Sequence, residues 1–271
     1  MKKCSYYFTV MFLLSTFFVP CQTFAQSIDD LVFITENYAP FNYEKDGKAQ
    51  GIAVDLLVKI LERSGSKKSR KDFKVLPWSE GYRLALSEKN VVLFSTLRTK
   101  KRDSLFKWVG PIKKGSSALI AKKSRNIQIN TLNDLNKYIT GVVRDDASAQ
   151  SLINRGVNPK NIYETVSGTG GQNLGKMLAA NRIDLWAYSD VSASRILKMS
   201  GFSFSDYEVV YNFPENDVYF ALNINTDDKI VAKLQKLLDY MRDSGEIQKI
   251  IKNYLPNYQF EQKIGSTTIK G

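Results

Sequence analysis

The chain has 271 residues, 39 Lys and Arg against 27 Asp and Glu, a formal net charge of +12 and no histidine. Both of its cysteines, Cys4 and Cys21, fall within the first 25 residues, so the remainder has no thiol, no disulfide and no cysteine metal site. The lack of histidine removes the usual general base and the commonest neutral metal ligand. Thiol proteases, zinc hydrolases and Ser-His-Asp enzymes are thereby excluded.

Residues 1–25 read as a secretory signal. Lys2 and Lys3 form a basic start, residues 6–19 an apolar core too short to span a bilayer, and Thr23-Phe24-Ala25 a small-x-small cleavage site. The mature chain is expected to begin near Gln26, periplasmic and soluble. Pro20 directly before Cys21 argues against lipid anchoring at that cysteine. Removing Lys2 and Lys3 takes the charge from +12 to +10 (12 − 2). The basic clusters, Lys67-Lys68 with Arg70-Lys71 and Lys100-Lys101, fall in predicted loops and read as solvated faces. No nucleic-acid reader motif accompanies them, so no nucleic-acid partner is expected.

The elements then alternate. Residues 31–35 read as a strand, followed by a loop through Tyr38-Ala39-Pro40-Phe41. Residues 51–63 have helical spacing, with Ile52, Leu56 and Ile60 on one face. A strand is expected over 73–76, a helix over 79–87 and a strand over 91–94, which breaks into a polar turn at Ser95-Thr96. Residues 115–121 form a further strand. A second series follows: a short helix over 132–138 capped by Thr131, a strand over 139–143, and a helix over 147–155. A strand over 162–164, a helix over 172–180, a strand over 183–187 and a helix over 190–199 continue it. Strands over 207–211 and 218–222 and helices over 227–242 and 245–254 close the chain. Gly168-Thr-Gly-Gly171 lacks the lysine and spacing of a P-loop and reads as a turn before a helix.

Two α/β series fit either a two-lobed clamshell crossed twice by the chain, near 112–117 and 210–218, or one doubly wound sheet. The segment 94–112 carries the strongest chemistry. Arg98, Thr99 and Arg102 follow a buried strand within five residues, and arginine grips a carboxylate through two parallel charge-assisted hydrogen bonds.

Several motifs, in order, resemble the periplasmic solute-binding proteins of polar amino acid importers (family 3). They are Tyr38-Ala-Pro-Phe41, Gly51-Ile-Ala-Val-Asp55-Leu56, Pro77-Trp78, Thr99-Lys-Lys-Arg102, Phe106 to Pro111, Ala180-Asn-Arg-Ile-Asp184 and a closing helix with Gly245 in its turn. The resemblance spans about 28–255. It implies a type II periplasmic-binding-protein clamshell. Lobe I would comprise 26–112 plus 213–258 and lobe II 113–212, with a tail over 259–271. It also implies a monomer without cofactor or metal that binds a small polar solute, most simply an amino acid, and delivers it to the membrane permease of an ABC importer. The alternatives are a ligand sensor for a membrane receptor and, less favoured, a dehydratase-like enzyme on the same fold.

Carried over by motif, Arg102 is the carboxylate anchor, with Ser95, Thr96 and Thr99 as nearby donors. Tyr38 is the aromatic that covers the ligand, and Trp78 a second wall. Arg98 is either a second cation of the cleft or an outward-facing side chain. The facing wall departs from the family. Where Gly-Thr-Thr or Gly-Thr-Ser usually precedes a helix, this chain has Arg144-Asp145-Asp146-Ala147-Ser148, with Asp146 either an N-cap or a ligand contact beside Ser148. The family's ammonium-binding aspartate aligns with Ser189, leaving Asp190, one residue on, as its replacement or as a helix cap.

Overall fold

The computed structural model describes residues 27–256, other than 116, 167 and 168. The leader with its two cysteines, Gly168 and the tail lie outside the described residues. Two mixed five-stranded sheets, each covered by helices, form two α/β lobes, the arrangement of the type II clamshell.

The first sheet has the order β4-β1-β5-β12-β6, from β1 (Val32–Thr35), β4 (Lys74–Val75), β5 (Val91–Leu97), β6 (Phe106–Gly115) and β12 (Asn216–Asn223). β1 pairs in parallel with β4 and β5, whereas β12 runs antiparallel to both β5 and β6. Phe33, Ile34, Val92, Leu93 and Phe94 are all buried, the near-continuous apolar run of a strand covered on both faces. One face is covered by α1 (Ile52–Ser64), α6 (Asp228–Asp243) and α7 (Glu246–Tyr254). In α6 the buried residues Ile230, Leu234, Leu238 and Met241 recur at helical spacing, and the Asp227 side chain caps its start by accepting from the Lys229 amide. α2 (Trp78–Ser87) packs against β1, β5 and β12.

The second sheet has the order β11-β7-β10-β8-β9, from β7 (Ala118–Lys122), β8 (Thr140–Val143), β9 (Ile162–Thr165), β10 (Leu185–Tyr188) and β11 (Tyr207–Asn212). Its helices are α3 (Ala147–Asn154), α4 (Gly170–Ala179) and α5 (Asp190–Met199). The chain passes between the sheets from β6 to β7 and returns from β11 to β12.

Three local expectations are corrected. β5 does not break at Ser95-Thr96 but continues to Leu97. Ser95 keeps its place with a positive φ of 63°, and the register against β12 slips between Tyr219 and Ala221. A bulge thus turns the strand where a loop was expected. The helix expected over 132–138 is a 3-10 helix, Leu132–Lys137, held by a capping box between Thr131 and Asp134. The loop after Phe41 contains a hairpin of β2 (Tyr43–Lys45) and β3 (Lys48–Gln50), too short and polar to show the alternation by which strands are read.

Candidate ligand-binding cleft

The cleft lies where the parallel strands of the two sheets end. Glu36 and Tyr38 follow β1, Ser95 and Leu97 lie in the closing stretch of β5, Val143 ends β8 with Asp146 just beyond it, and Tyr188 ends β10 with Ser189 next. Carboxyl ends of parallel strands leave backbone unpaired and helix N-termini nearby, which is where open α/β sheets bind ligands.

The Tyr38 loop is held by its own backbone. The Tyr38 amide donates to the Asn42 carbonyl at 2.6 Å, and Asn42 Nδ2 donates to the Glu36 carbonyl at 2.8 Å. The Pro40 and Phe41 carbonyls accept from the amides of Ile52 and Ala53 at 3.1 and 2.8 Å, so the first turn of α1 fixes the loop. The Tyr38 ring meets Tyr188 of the other lobe edge-on, with centroids 5.4 Å apart, and Ser189 and Ser192 stand beside its hydroxyl.

Arg102 is wholly buried. Its guanidinium lies over the stacked rings of Trp78 and Tyr82, 5.2 and 5.0 Å from their centroids. Nη1 donates to the Leu97 carbonyl at 3.4 Å, and Nη2 reaches across the cleft to donate to the Asp145 carbonyl at 2.7 Å. Nε has no partner. Asp145 presents that carbonyl from a left-handed backbone, φ 62°, a conformation that glycine takes without cost and that aspartate tolerates.

The charged groups of the cavity are Glu36, Arg102 and Asp146. Burial, reinforced by the Asp146 carboxylate and opposed by Arg102, pushes the Glu36 carboxyl up to about 8. Burial also raises the phenols of Tyr38 and Tyr188. The cavity is small, about 30 Å³, room for little more than a water. Separation of the lobes is therefore needed to admit a solute.

Of the residues singled out from sequence, Tyr38, Trp78, Ser95, Arg102 and Asp146 line this cavity together. The others lie elsewhere. Thr96 is buried with its hydroxyl donating to the Leu93 carbonyl at 3.3 Å. Arg98 faces away, paired through Nε with Asp103 at 2.6 Å and lying over the rings of Trp108 and Tyr219. Thr99 and Ser148 line an adjoining cavity, and the Ser148 hydroxyl donates to Asp146 Oδ2 at 2.5 Å. Asp190 accepts from the Val191 amide at 2.7 Å in the first turn of α5 and is the acid beside buried Lys113. Asp146 is the N-cap residue of α3 by backbone, yet its side chain makes no cap hydrogen bond. Sequence reasoning missed Glu36 and Tyr188 as cavity walls, and passed over Ser189, the aligned position of the family's aspartate, for Asp190. Their position directly after a strand was the available signal.

The sequence model of the bacterial extracellular solute-binding proteins, family 3, matches residues 31–257, and the chain belongs to that family. A curated relative, the "Probable amino-acid-binding protein YxeM" of Bacillus subtilis (strain 168), is 25% identical over 226 residues, 79% of each chain. Among solved structures, a histidine kinase sensor domain similar to periplasmic binding proteins matches with a TM-score of 0.73 and 20% identity, covering 84% of this chain and 97% of its own. An ancestral arginine-binding protein bound to arginine matches at 0.69 and 21%, covering 83% and 97%. A structure from work on glutathione import through GshT and the cystine importer TcyBC of Streptococcus mutans matches at 0.72 and 20%, covering 86% and 97%. At these identities the structural likenesses establish the fold. The chain's relatives are binding proteins, and no helix of the described residues is long and apolar enough to cross a membrane.

Proposed function

We propose that the protein is exported, captures an amino acid between its lobes and delivers it to an ABC importer. The observation that carries this reading is the meeting of Glu36 and Asp146 with Arg102, between aromatic walls from Tyr38, Trp78 and Tyr188, in one interlobe cavity. Two carboxylates and aromatic faces suit an ammonium or other cationic group, and a buried guanidinium suits a carboxylate. Family membership supports delivery to a permease, for which closure of the lobes presents a distinct surface. Opening about the two inter-sheet crossings separates Tyr38 from Tyr188 and Arg102 from Asp145 to admit the solute, and closing buries it between them. Calorimetric titration with a panel of amino acids and simple amines tests the reading. At least one amino acid is expected to bind with a Kd in the range of about 1 µM to 1 mM, and Arg102→Ala to abolish that binding. No binding, or an Arg102→Ala variant equal to the wild type, would overturn it.

A further inference from the structure

Beside the cleft lies a second and larger cavity of about 220 Å³. It shares Leu97, Gly115 and Ser117 as walls with the first. The Asp146–Ser148 hydrogen bond joins the two, since Asp146 lines the first cavity and Ser148 the second. A cavity of roughly 150 Å³ holds a benzene-sized molecule, so this one has room for several heavy atoms of a ligand that begins next door.

Its chemistry is the reverse of its neighbour's. The charged side chains lining it are Lys101 and Arg155, with no acidic residue among the lining groups. One wall is α3, which turns Ser148 and Ser151 toward the cavity with its C-cap residue Arg155, while Ala149 and Leu152 pack into the core. Two polar atoms of the lining, Thr99 Oγ1 and Arg155 Nε, are buried without any hydrogen-bond partner. Buried polar groups are nearly always satisfied, and an orphaned cationic N–H and an orphaned hydroxyl in the walls of one cavity each call for an acceptor. A carbonyl would serve either atom alone, but the +2 lining without counter-charge favours an anion.

We propose that this second chamber is a subsite for a distal anionic group, a carboxylate or phosphate, on a ligand whose amino-acid head sits between Glu36 and Arg102. The inference rests on the amino-acid reading of the first chamber. The ligand it defines is longer than a simple amino acid: its amine end faces the acidic chamber, and its second anion passes Leu97 and Ser117 to Lys101 and Arg155.

Matched pairs titrated by calorimetry test it: L-glutamate against L-glutamine, a γ-glutamyl dipeptide against its C-terminal amide, and O-phospho-L-serine against L-serine. In at least one pair the acidic member is expected to bind about tenfold or more tightly, and the pair in which it does so tells carboxylate from phosphate. In the double variant Lys101→Gln, Arg155→Gln that ratio falls to about one, while the neutral member binds within about twofold of wild type and so reports an intact fold. Neutral members that bind as well as acidic ones, or a preference that survives in the double variant, overturn the subsite and leave the amino-acid reading standing. Binding of neither member in any pair overturns the subsite, and the amino-acid reading falls with it when the full amino-acid panel also fails to bind.

Discussion

Arg102 of the first lobe donates from Nη2 to the backbone carbonyl of Asp145 in the second, at 2.7 Å across the cleft. The guanidinium is held from below by Trp78 and Tyr82 and from within its own lobe by the Leu97 carbonyl. It therefore couples the ligand cavity to lobe closure: whatever takes its remaining donors does so from a group already bridging both walls.

Arg102→Lys should fail at this site although it keeps the charge. An ammonium cannot span two carbonyls and a carboxylate from one planar fork. Loss of the charge-assisted bonds predicts about 1.5–3 kcal/mol of lost stability and at least a tenfold loss of ligand affinity. Denaturant unfolding and calorimetry of the variant check both.

Glu36 makes stability and binding depend on pH. Its folded pKa of about 8 lies above the ordinary glutamate value of 4.5, so the folded state holds a proton that the unfolded state gives up. The sign follows: this group's contribution to stability is fully present below about 4.5 and is lost as pH rises through about 8. Glu36→Gln removes the titration, so the variant should gain stability relative to wild type between pH 5 and 8. A cationic ligand favours the carboxylate, so wild-type affinity for it should rise over the same window with release of up to one proton. The variant should show neither effect when calorimetry is run in buffers of different ionisation enthalpy.

Lys113, on the strand leading out of the first lobe, is buried with Nζ 3.7 Å from the centre of the Phe41 ring. Burial, partly offset by Asp190, lowers its pKa from 10.5 to about 8. The protonated amine is thus disfavoured by folding, a cost present in full below about 8 and relieved as pH climbs toward 10.5. Lys113→Met should stabilise the protein at pH 7 by about 1–3 kcal/mol, after allowance for the lost ring contact, with a smaller gain at pH 9.5. Thermal melts of both proteins at the two pH values measure it.

Gly51 sets the position of Tyr38 from a distance. Its φ is 120°, and a Cβ there would lie 2.5 Å from the Phe41 carbonyl oxygen, the acceptor that holds the loop to α1. Gly51→Ala should cost on the order of 2–3 kcal/mol and weaken ligand binding through a displaced Tyr38, both read from the same unfolding and titration curves.

The alternating elements were legible because most are long and periodic: α1, α6 and the buried strands β1 and β5 announce themselves by spacing and by apolar runs. The β2–β3 hairpin and the course of Ser95 were not. Short polar strands carry no period, and a left-handed serine inside a strand is fixed by its pairing with β12 rather than by local propensity. In the cleft, the motifs led to Tyr38, Trp78 and Arg102. Arg98, which the sequence left open between cleft and surface, turns outward over Trp108 and Tyr219, neighbours that local sequence does not announce. Glu36 stayed hidden because a lone glutamate after a strand looks like any solvated loop acid. Burial between the lobes, reinforced by the approach of Asp146 from the other lobe, gives it a special environment.

The central claim is that the cleft reads an amine with Glu36 and Asp146 and a carboxylate with Arg102. Calorimetric titration of the wild type with its tightest amino acid and with the deaminated analogue of that ligand tests it most directly. The account predicts that removing the amine weakens binding by at least about 100-fold, close to 3 kcal/mol. A deaminated analogue that binds as tightly as the amino acid would contradict it.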